Sequence, residues 1–395
     1  MIDSQRLTNS LLDLLAIPSP SGFTDEAVHY VGHALDDMGV EYRLTRRGTI
    51  QARIPGRDSG PARALVTHLD TIGAMVRYIR DDGRVLVAPI GHWSSRLAEG
   101  GRVTVFSENG AYRGCLLPTL EWGVSRDQGV DKVPMNWDSI ELRLEEAVFN
   151  ARDVQELGIE IGNFIALDSY PEVLENGYII GRNLDNKAGT AAVLETLRHL
   201  TEDKVAPTHD TYVLFTISET TGGGMGGAVF PEVSELVTVD FESVKPTEKS
   251  PFKRVTLASG DASGPYDYHL VSHLHELAEA KQIPLQQKYL EAFHSDTAAA
   301  LIAGHDVRTA VLAYAGDASH SVERTHIESL TNLVRILEAY ATSEPTFARD
   351  REITTVDKFS RQIDSDALPR IVPDVPDTAT VIRRDAARDS SEGDE

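Results

Sequence analysis

From about residue 170 onward the chain alternates apolar, strand-like runs with helical patterns, and this rhythm restricts the fold more than any other feature. The spacing predicts helices over 186–200, 266–282, 296–304 and 327–342. It predicts strands over 211–218, 235–242, 284–292 and 308–316. Strands that alternate with helices imply an α/β fold with a mixed, largely parallel sheet flanked by helices. Ligands then gather at the carboxyl ends of the strands.

The amino-terminal stretch has the same texture. Residues 5–16 place Leu7, Leu11, Leu12 and Leu15 on one helical face, and Pro18-Ser19-Pro20-Ser21-Gly22 stops that helix. Thr24 or Asp25 can cap a second helix that runs to about Met38. Strands follow at 40–44, 49–54 and 62–67, the last feeding into His68-Leu69-Asp70. Between 73 and 168 the pattern changes to short strands, such as 84–88, 102–106 and 164–167, separated by glycines. This suggests a small β-rich domain inserted between a first catalytic part, 1–72, and a second, 169–345. The tail, 346–395, has twelve acids, eight bases and prolines at 369, 373 and 376. Such a segment buries little apolar area, and a disordered or arm-like tail is expected.

Charge limits the partners. With 61 acidic and 38 basic residues the net charge is −23, which disfavours nucleic acid or an anionic membrane as the main partner. The single cysteine, Cys115, excludes an intrachain disulfide and fits a reducing compartment. Met1 to Arg6 lacks an apolar leader pattern, and no uninterrupted apolar stretch of about 18 residues occurs. A soluble, cytoplasmic protein is expected.

Six residues at strand ends or loops have the chemistry of a metal site. His68 and Asp70 follow a strand. Asp185 opens the 186–200 helix, where amide groups and the helix dipole favour an ionised carboxylate. Glu219 and Asp240 end strands, and His320 follows the strand and turn that reach Asp317. Imidazole plus carboxylate suits Zn²⁺ or another first-row divalent ion. Asp70 is placed to fix the His68 tautomer. Taken singly, each residue also has a plain explanation as a helix cap, a surface acid or a satisfied histidine.

Together, His68-Leu69-Asp70-Thr71-Ile72-Gly73, Leu184-Asp185-Asn186-Lys187-Ala188-Gly189, Ser218-Glu219, Val239-Asp240 and His320-Ser321 resemble the glutamyl and tetrahedral aminopeptidases, a family of dinuclear metallopeptidases. Glu156-Leu157-Gly158-Ile159-Glu160-Ile161-Gly162-Asn163-Phe164 looks like the end of that family's inserted β domain. The resemblance covers about residues 5–343. It implies that Asp185 bridges two metals, that His68 and Asp240 complete one site, and that His320 serves the other. One or two ions per subunit, Zn²⁺, Co²⁺ or Mn²⁺, follow from it. Glu219 would be the general base, and Asp70 is placed with it in the catalytic set. The implied reaction is metal-assisted hydrolysis of an amide in short peptides, with Glu219 passing a proton from the attacking water to the leaving amine. Relatives dimerise through the β domain and are usually dodecamers, so a homo-oligomer is implied.

One departure stands out. The family has a second glutamate after Glu219, a ligand of the His320 metal, and here that position is Thr220. A neutral hydroxyl is a poor ligand for Zn²⁺, so the second site should be weaker, rebuilt by another group, or empty. Thr220 and the loop Gly222-Gly223-Gly224-Met225-Gly226-Gly227 resemble the subgroup associated with the N-acetylglutaminylglutamine amide osmolyte system. That resemblance implies a capped dipeptide, or a precursor of it, as a substrate. A deacylase or amidase acting on that compound is then an alternative. So is a non-catalytic scaffold that binds peptides or osmolytes.

Other motifs carry less. The glycine loop formally fits a dinucleotide fingerprint, but Pro231 and a strand from about Glu235 leave no room for a crossover helix. His269 and His273 are spaced i, i+4 without the glutamate that a zinc helix would place after the first, so a solvated helix is favoured. Asp296, beside His294, either shapes the substrate end or caps a helix. Cys115 and Trp122 have no catalytic company.

Overall fold

The computed structural model describes residues 2–119, 132–245, 251–291, 293–347, 350, 355–356 and 359–362. Trp122 and most of the 346–395 segment lie outside these. Met1–Ile353 forms one compact unit and Thr354–Glu395 a second. In the second, the described residues include a single turn in which the Phe359 amide donates to the Val356 carbonyl.

The first unit begins with α1 (Ser4–Ala16) and α2 (Asp25–Asp37). The Asp3 carboxylate caps α1 by accepting from the amides of Gln5 and Arg6, both at 3.0 Å. Leu7, Leu11, Leu14 and Leu15 are buried on its inner face; Leu14 takes the place expected for Leu12, which is only half-buried. Three strands follow, β1 (Glu41–Leu44), β2 (Ile50–Ile54) and β3 (Asp58–His68).

The chain then closes a barrel. Its strands are β4 (Gly73–Ile79), β5 (Val85–Ile90), β6 (Arg102–Ser107), β7 (Gly110–Pro118), β8 (Ile140–Leu144) and, after α3 (Ala151–Glu156), β9 (Phe164–Leu167). Their order around the barrel is β4-β5-β8-β7-β6-β9. Closure leaves no unpaired sheet edge, and Val76, Val87, Val103, Leu116, Leu142 and Ile165 fill a core separate from the main one.

Beyond the barrel come β10 (Glu172–Val173), β11 (Tyr178–Gly181), α4 (Leu184–Glu202), β12 (His209–Thr216) and β13 (Val233–Ser243). They are followed by β14 (Val255–Asp261), β15 (Gly264–Pro265), α5 (Tyr268–Ala280) and β16 (Leu285–Leu290). The unit ends with α6 (Asp296–Ile302), β17 (Arg308–Asp317), β18 (Glu323–His326) and α7 (Ile327–Thr342). The main sheet runs β1-β2-β12-β3-β13-β17-β18-β11-β10, with β14 also pairing β17 and continuing to β15 and β16. Its centre, β12-β3-β13-β17, is parallel, and the β1-β2-β12 and β17-β18-β11-β10 flanks pair antiparallel. All eight residues of β12 are buried, as expected for a strand covered on both faces.

Register places the chemistry. His68, the last residue of β3, pairs with Thr216 of β12, three residues before Glu219. Val66 pairs with Thr238 of β13, so His68 and Asp240 stand level two residues further on. The carboxyl ends of three adjacent parallel strands therefore deliver His68, Glu219 and Asp240 to one edge. α4 packs tightly behind them. A Cβ at Gly189 would lie 2.2 Å from Asn186 Oδ1, and the Asn186 amide donates to Val239 O at 2.7 Å and to Thr67 Oγ1 at 3.1 Å. Among the described residues no helix is long and apolar enough to cross a membrane.

Candidate active site

His68 is almost completely buried, and its two ring nitrogens have different surroundings. Nδ1 lies 2.8 Å from the backbone carbonyl of Asp70, which fixes the tautomer, while the Asp70 carboxylate is further off at 3.6 Å. Nε2 faces three acids: Asp185 Oδ1 at 3.4 Å, Glu219 Oε2 at 3.7 Å and Asp240 Oδ1 at 4.0 Å. Donor atoms of His68, Asp185 and Asp240 all fall within 4.8 Å of one another. The other oxygen of Asp185, Oδ2, faces His320 Nε2 at 3.5 Å. Asp185 thus turns one oxygen to each imidazole, the arrangement a bridging ligand needs.

The strand-to-helix junction sets up this posture. Asn183 has φ +64°, and Asp185 and Asn186 keep non-helical angles before the regular turns of α4. The Asp185 amide does not continue the helix; it donates to Glu323 Oε2 at 3.1 Å. Glu323 Oε1 accepts from the amide of His320 at 2.9 Å. One buried carboxylate therefore aligns two candidate ligands. The sequence reading missed Glu323, whose only local signal is its place three residues after His320.

Asp70 has a different task from the one expected of its carboxylate. Oδ1 accepts from the Glu219 amide at 3.1 Å, and Oδ2 from the Thr220 amide at 3.2 Å, the Thr220 hydroxyl at 3.0 Å and the Ser21 hydroxyl at 2.5 Å. It holds the Glu219–Thr220 peptide in place. Ser21, in the proline-rich segment after α1, was missed because the sequence shows only a helix stop there. That segment pairs with Thr71, and Ser19 Oγ donates to the Leu69 carbonyl at 2.8 Å, bracing the loop that carries Asp70.

The electrostatics follow from burial and crowding. Burial raises the proton affinity of Glu219, and neighbouring Asp240, Asp296 and Asp185 add to it against the opposing pull of His68, leaving its pKa well above the usual carboxylate range. Asp240 is raised for the same reasons, burial and then Asp185. Burial alone would lower His68, but Glu219, Asp185 and Asp70 outweigh it and hold its pKa well up. Asp185 is held low: His320 and His68 overcome its burial. Burial pushes Asp296 to about 7; its Oδ2 accepts from Thr216 Oγ1 at 2.9 Å. Three carboxylates crowded about one imidazole nitrogen, with the other nitrogen committed to a carbonyl, are a donor set that fits a divalent cation.

The site opens on a cavity of about 970 Å³. Asp185, Glu219, Asp240 and His320 share its wall with Phe293, Leu290 and Tyr289 on the apolar side and with Glu242 and Lys288, an ion pair at 2.6 Å. His294 and Asp296 line it as well. His269 and His273 lie on α5, with the His273 ring 2.9 Å from Ser343 Oγ. Cys115 is buried in β7.

The M42 glutamyl aminopeptidase profile matches residues 48–336. The chain belongs to this family. It is therefore a metal-dependent aminopeptidase, a hydrolase. The protein YhfE of Bacillus subtilis is 34% identical over 343 residues, covering 86% of this chain and 99% of that one. Lysyl aminopeptidase of Pyrococcus furiosus is 26% identical over 338 residues, covering 82% and 94%. Among solved structures, the TET aminopeptidase of the marine archaeon Thaumarchaeota archaeon SCGC AB-539-E09 superposes with a TM-score of 0.78 at 18% identity, over 86% of this chain and 96% of that one. Pyrococcus horikoshii TET1 peptidase gives 0.74 at 22% identity, over 86% and 100%. These structural likenesses show the shared fold, an α/β sheet with a closed barrel.

Proposed function

We propose that this M42 enzyme removes the first residue from short peptides. In this reading His68, Asp185 and Asp240 hold one divalent cation, Zn²⁺ or alternatively Co²⁺ or Mn²⁺, and His320 with Asp185 faces a second. The observation that carries it is the convergence of the three donor groups within 4.8 Å, with Asp185 and Asp240 in the wall of a cavity that Glu219 also lines. When bound, the metal supplies Lewis-acid polarisation of the scissile carbonyl and a more acidic water. Glu219 takes the proton of the attacking water and returns it to the leaving amine; its raised proton affinity suits that exchange. Asp70 holds the Glu219 backbone, and Glu323 holds those of Asp185 and His320.

Residues 1–72 and 169–345 form the catalytic part in this reading, and the barrel within 73–168 is the dimerisation domain of a homo-oligomer. Support comes from the relatives: Pyrococcus horikoshii TET1 assembles into a tetrahedron or an octahedral shell. The cavity, with apolar and charged walls, accommodates a side chain and a short peptide. A link to osmolyte dipeptides has support only from the likeness at Thr220 and its loop. The test is hydrolysis by metal-loaded protein of an aminoacyl amide and dipeptide panel beside N-acetylglutaminylglutamine amide. Turnover of free-amine substrates is expected. Turnover of the capped compound alone would replace aminopeptidase action with amidase action, and no turnover with bound metal would overturn the hydrolytic reading.

A further inference from the structure

Thr220 stands at the position of the family's second glutamate, and its hydroxyl is committed to a polar cluster beside the catalytic peptide. It lies 3.0 Å from Asp70 Oδ2 and 2.5 Å from Ser21 Oγ. Ser21 Oγ in turn donates to the same Asp70 oxygen at 2.5 Å. The segment after α1, the turn after β3 and the turn after β12 therefore meet at these three side chains. Two backbone amides join them: that of Thr220 donates to Asp70 Oδ2 at 3.2 Å and that of Glu219 to Oδ1 at 3.1 Å. A hydroxyl suits this place, because a carboxylate turned toward Asp70 would set like charge against like at hydrogen-bond distance.

Ser21 is itself held from both sides. Its amide donates to Thr71 O at 3.1 Å, and the Thr71 amide donates to Ser19 O at 2.8 Å. A Cβ at Gly73 would lie 2.6 Å from Pro20 Cβ, so the segment packs directly on the start of β4. Gly22, with φ +93°, turns the chain, and Phe23 stacks on Phe106 of the barrel at 4.6 Å and leans on Phe164 at 5.5 Å. Upstream, the buried Lys187 ammonium donates to the carbonyls of Leu14, at 2.9 Å, and Ile17. Residues 17–23 thus run as a braced strap from α4 to the barrel, with the Ser21 hydroxyl at midspan.

We propose that Ser21 is a positioning residue for the hydrolysis: through Asp70 and Thr220 it fixes the peptide that carries Glu219, and the strap ties that peptide to the barrel. This rests on the assignment of Glu219 as the base given above. Ser21 is buried, and it is Thr220 that lines the cavity, so Ser21 acts through its two partners rather than on the substrate. Without its hydroxyl, Asp70 Oδ2 loses a donor, the Thr220 hydroxyl loses a partner, and the base can drift. A misplacement of about 1 Å is enough to cost ~100-fold in rate.

The test is a double-mutant cycle on the full, metal-loaded chain, with kcat, KM, metal content and melting temperature measured for each protein. Ser21→Ala should lower kcat ~10- to 100-fold, with KM and metal content those of wild type. Thr220→Val, which keeps the shape and removes the hydroxyl, should lose a similar factor, and Thr220→Ser, which keeps the hydroxyl, should recover most of it. The double variant Ser21→Ala with Thr220→Val should lose little more than either single one, because both act on one cluster. An unchanged kcat in Ser21→Ala would overturn the assignment, as would losses that simply multiply in the double variant. So would a raised KM at unchanged kcat, or metal lost in step with activity, since either would place the effect elsewhere. Should wild type turn over no amide at all, the hydrolytic reading fails and the melting temperatures decide the cluster alone: shifts that do not add keep it, and shifts that add overturn it.

Discussion

Thr220 gives both its amide and its hydroxyl to one oxygen of Asp70, at 3.2 and 3.0 Å. Asp70 is fully buried, so its carboxylate serves as a peg for the Glu219–Thr220 peptide. Replacing one oxygen by an amide nitrogen, as in Asp70→Asn, sets a donor against donors. Activity should fall ~10- to 100-fold, the range seen when a residue that orients a metal site is lost. The measurement is kcat/KM together with metal content. Unaltered kcat/KM would mean that the peg does not position Glu219.

Glu219→Gln should keep the bound metal and lose kcat by about 10²- to 10⁴-fold, the usual contribution of a positioned base. Its carboxylate is 3.7 Å from His68 Nε2, near the cluster without being one of its three converging donors. Base and ligand roles are therefore separable. Loss of metal in step with activity would make Glu219 a ligand instead.

Much of this was legible in the sequence, and the exceptions have physical reasons. Strands read as continuous apolar runs, such as β12 and β17, are the parallel strands buried on both faces. β14, Val255–Asp261, was overlooked because its second half, Ser259-Gly260-Asp261, is polar, and its burial comes from pairing with β16 and β17. In the barrel, β7 and β8 include arginine and glutamate within short runs, so their alternation is faint. Among candidate site residues, the strand-end acids and histidines were picked out by position and residue type, and their roles only by the resemblance. Ser21 and Glu323 were not, since their value comes from contacts 49 and 138 residues away along the chain.

Asp296 should make metal-free protein weaken as pH rises. Its pKa is lifted by burial to about 7 from an ordinary 3.8. The folded state therefore binds a proton that the unfolded state has already lost. Its stabilising contribution is full below the unfolded value and is lost as pH rises through about 7. Asp296→Asn keeps an acceptor for Thr216 and removes this dependence. Its stability relative to wild type should climb between pH 5 and pH 8 by up to about 3 kcal/mol, at ~1.4 kcal/mol per pH unit. Urea unfolding at both pH values checks it. A difference that does not change with pH would show that Asp296 is ionised throughout.

Chelation should lower the melting temperature, because without a cation the acids around His68 Nε2 repel one another and take up protons instead. Asp240 and Glu219 are both raised for that reason, after burial. A metal at 100 times its Kd adds about 3 kcal/mol to folding, which for a chain of this size is a rise on the order of 3–5 °C. Metal entry must also expel the protons held on these carboxylates and on His68, so calorimetric titration in two buffers of different ionisation enthalpy should show proton release. His68→Ala should abolish both the thermal shift and the proton release, since it removes the imidazole that Asp185 and Asp240 surround. If that variant still melted higher with Zn²⁺ by the wild-type margin, the stabilising ion would have to sit elsewhere, and the three converging donors would be an acidic cluster held together by protons alone.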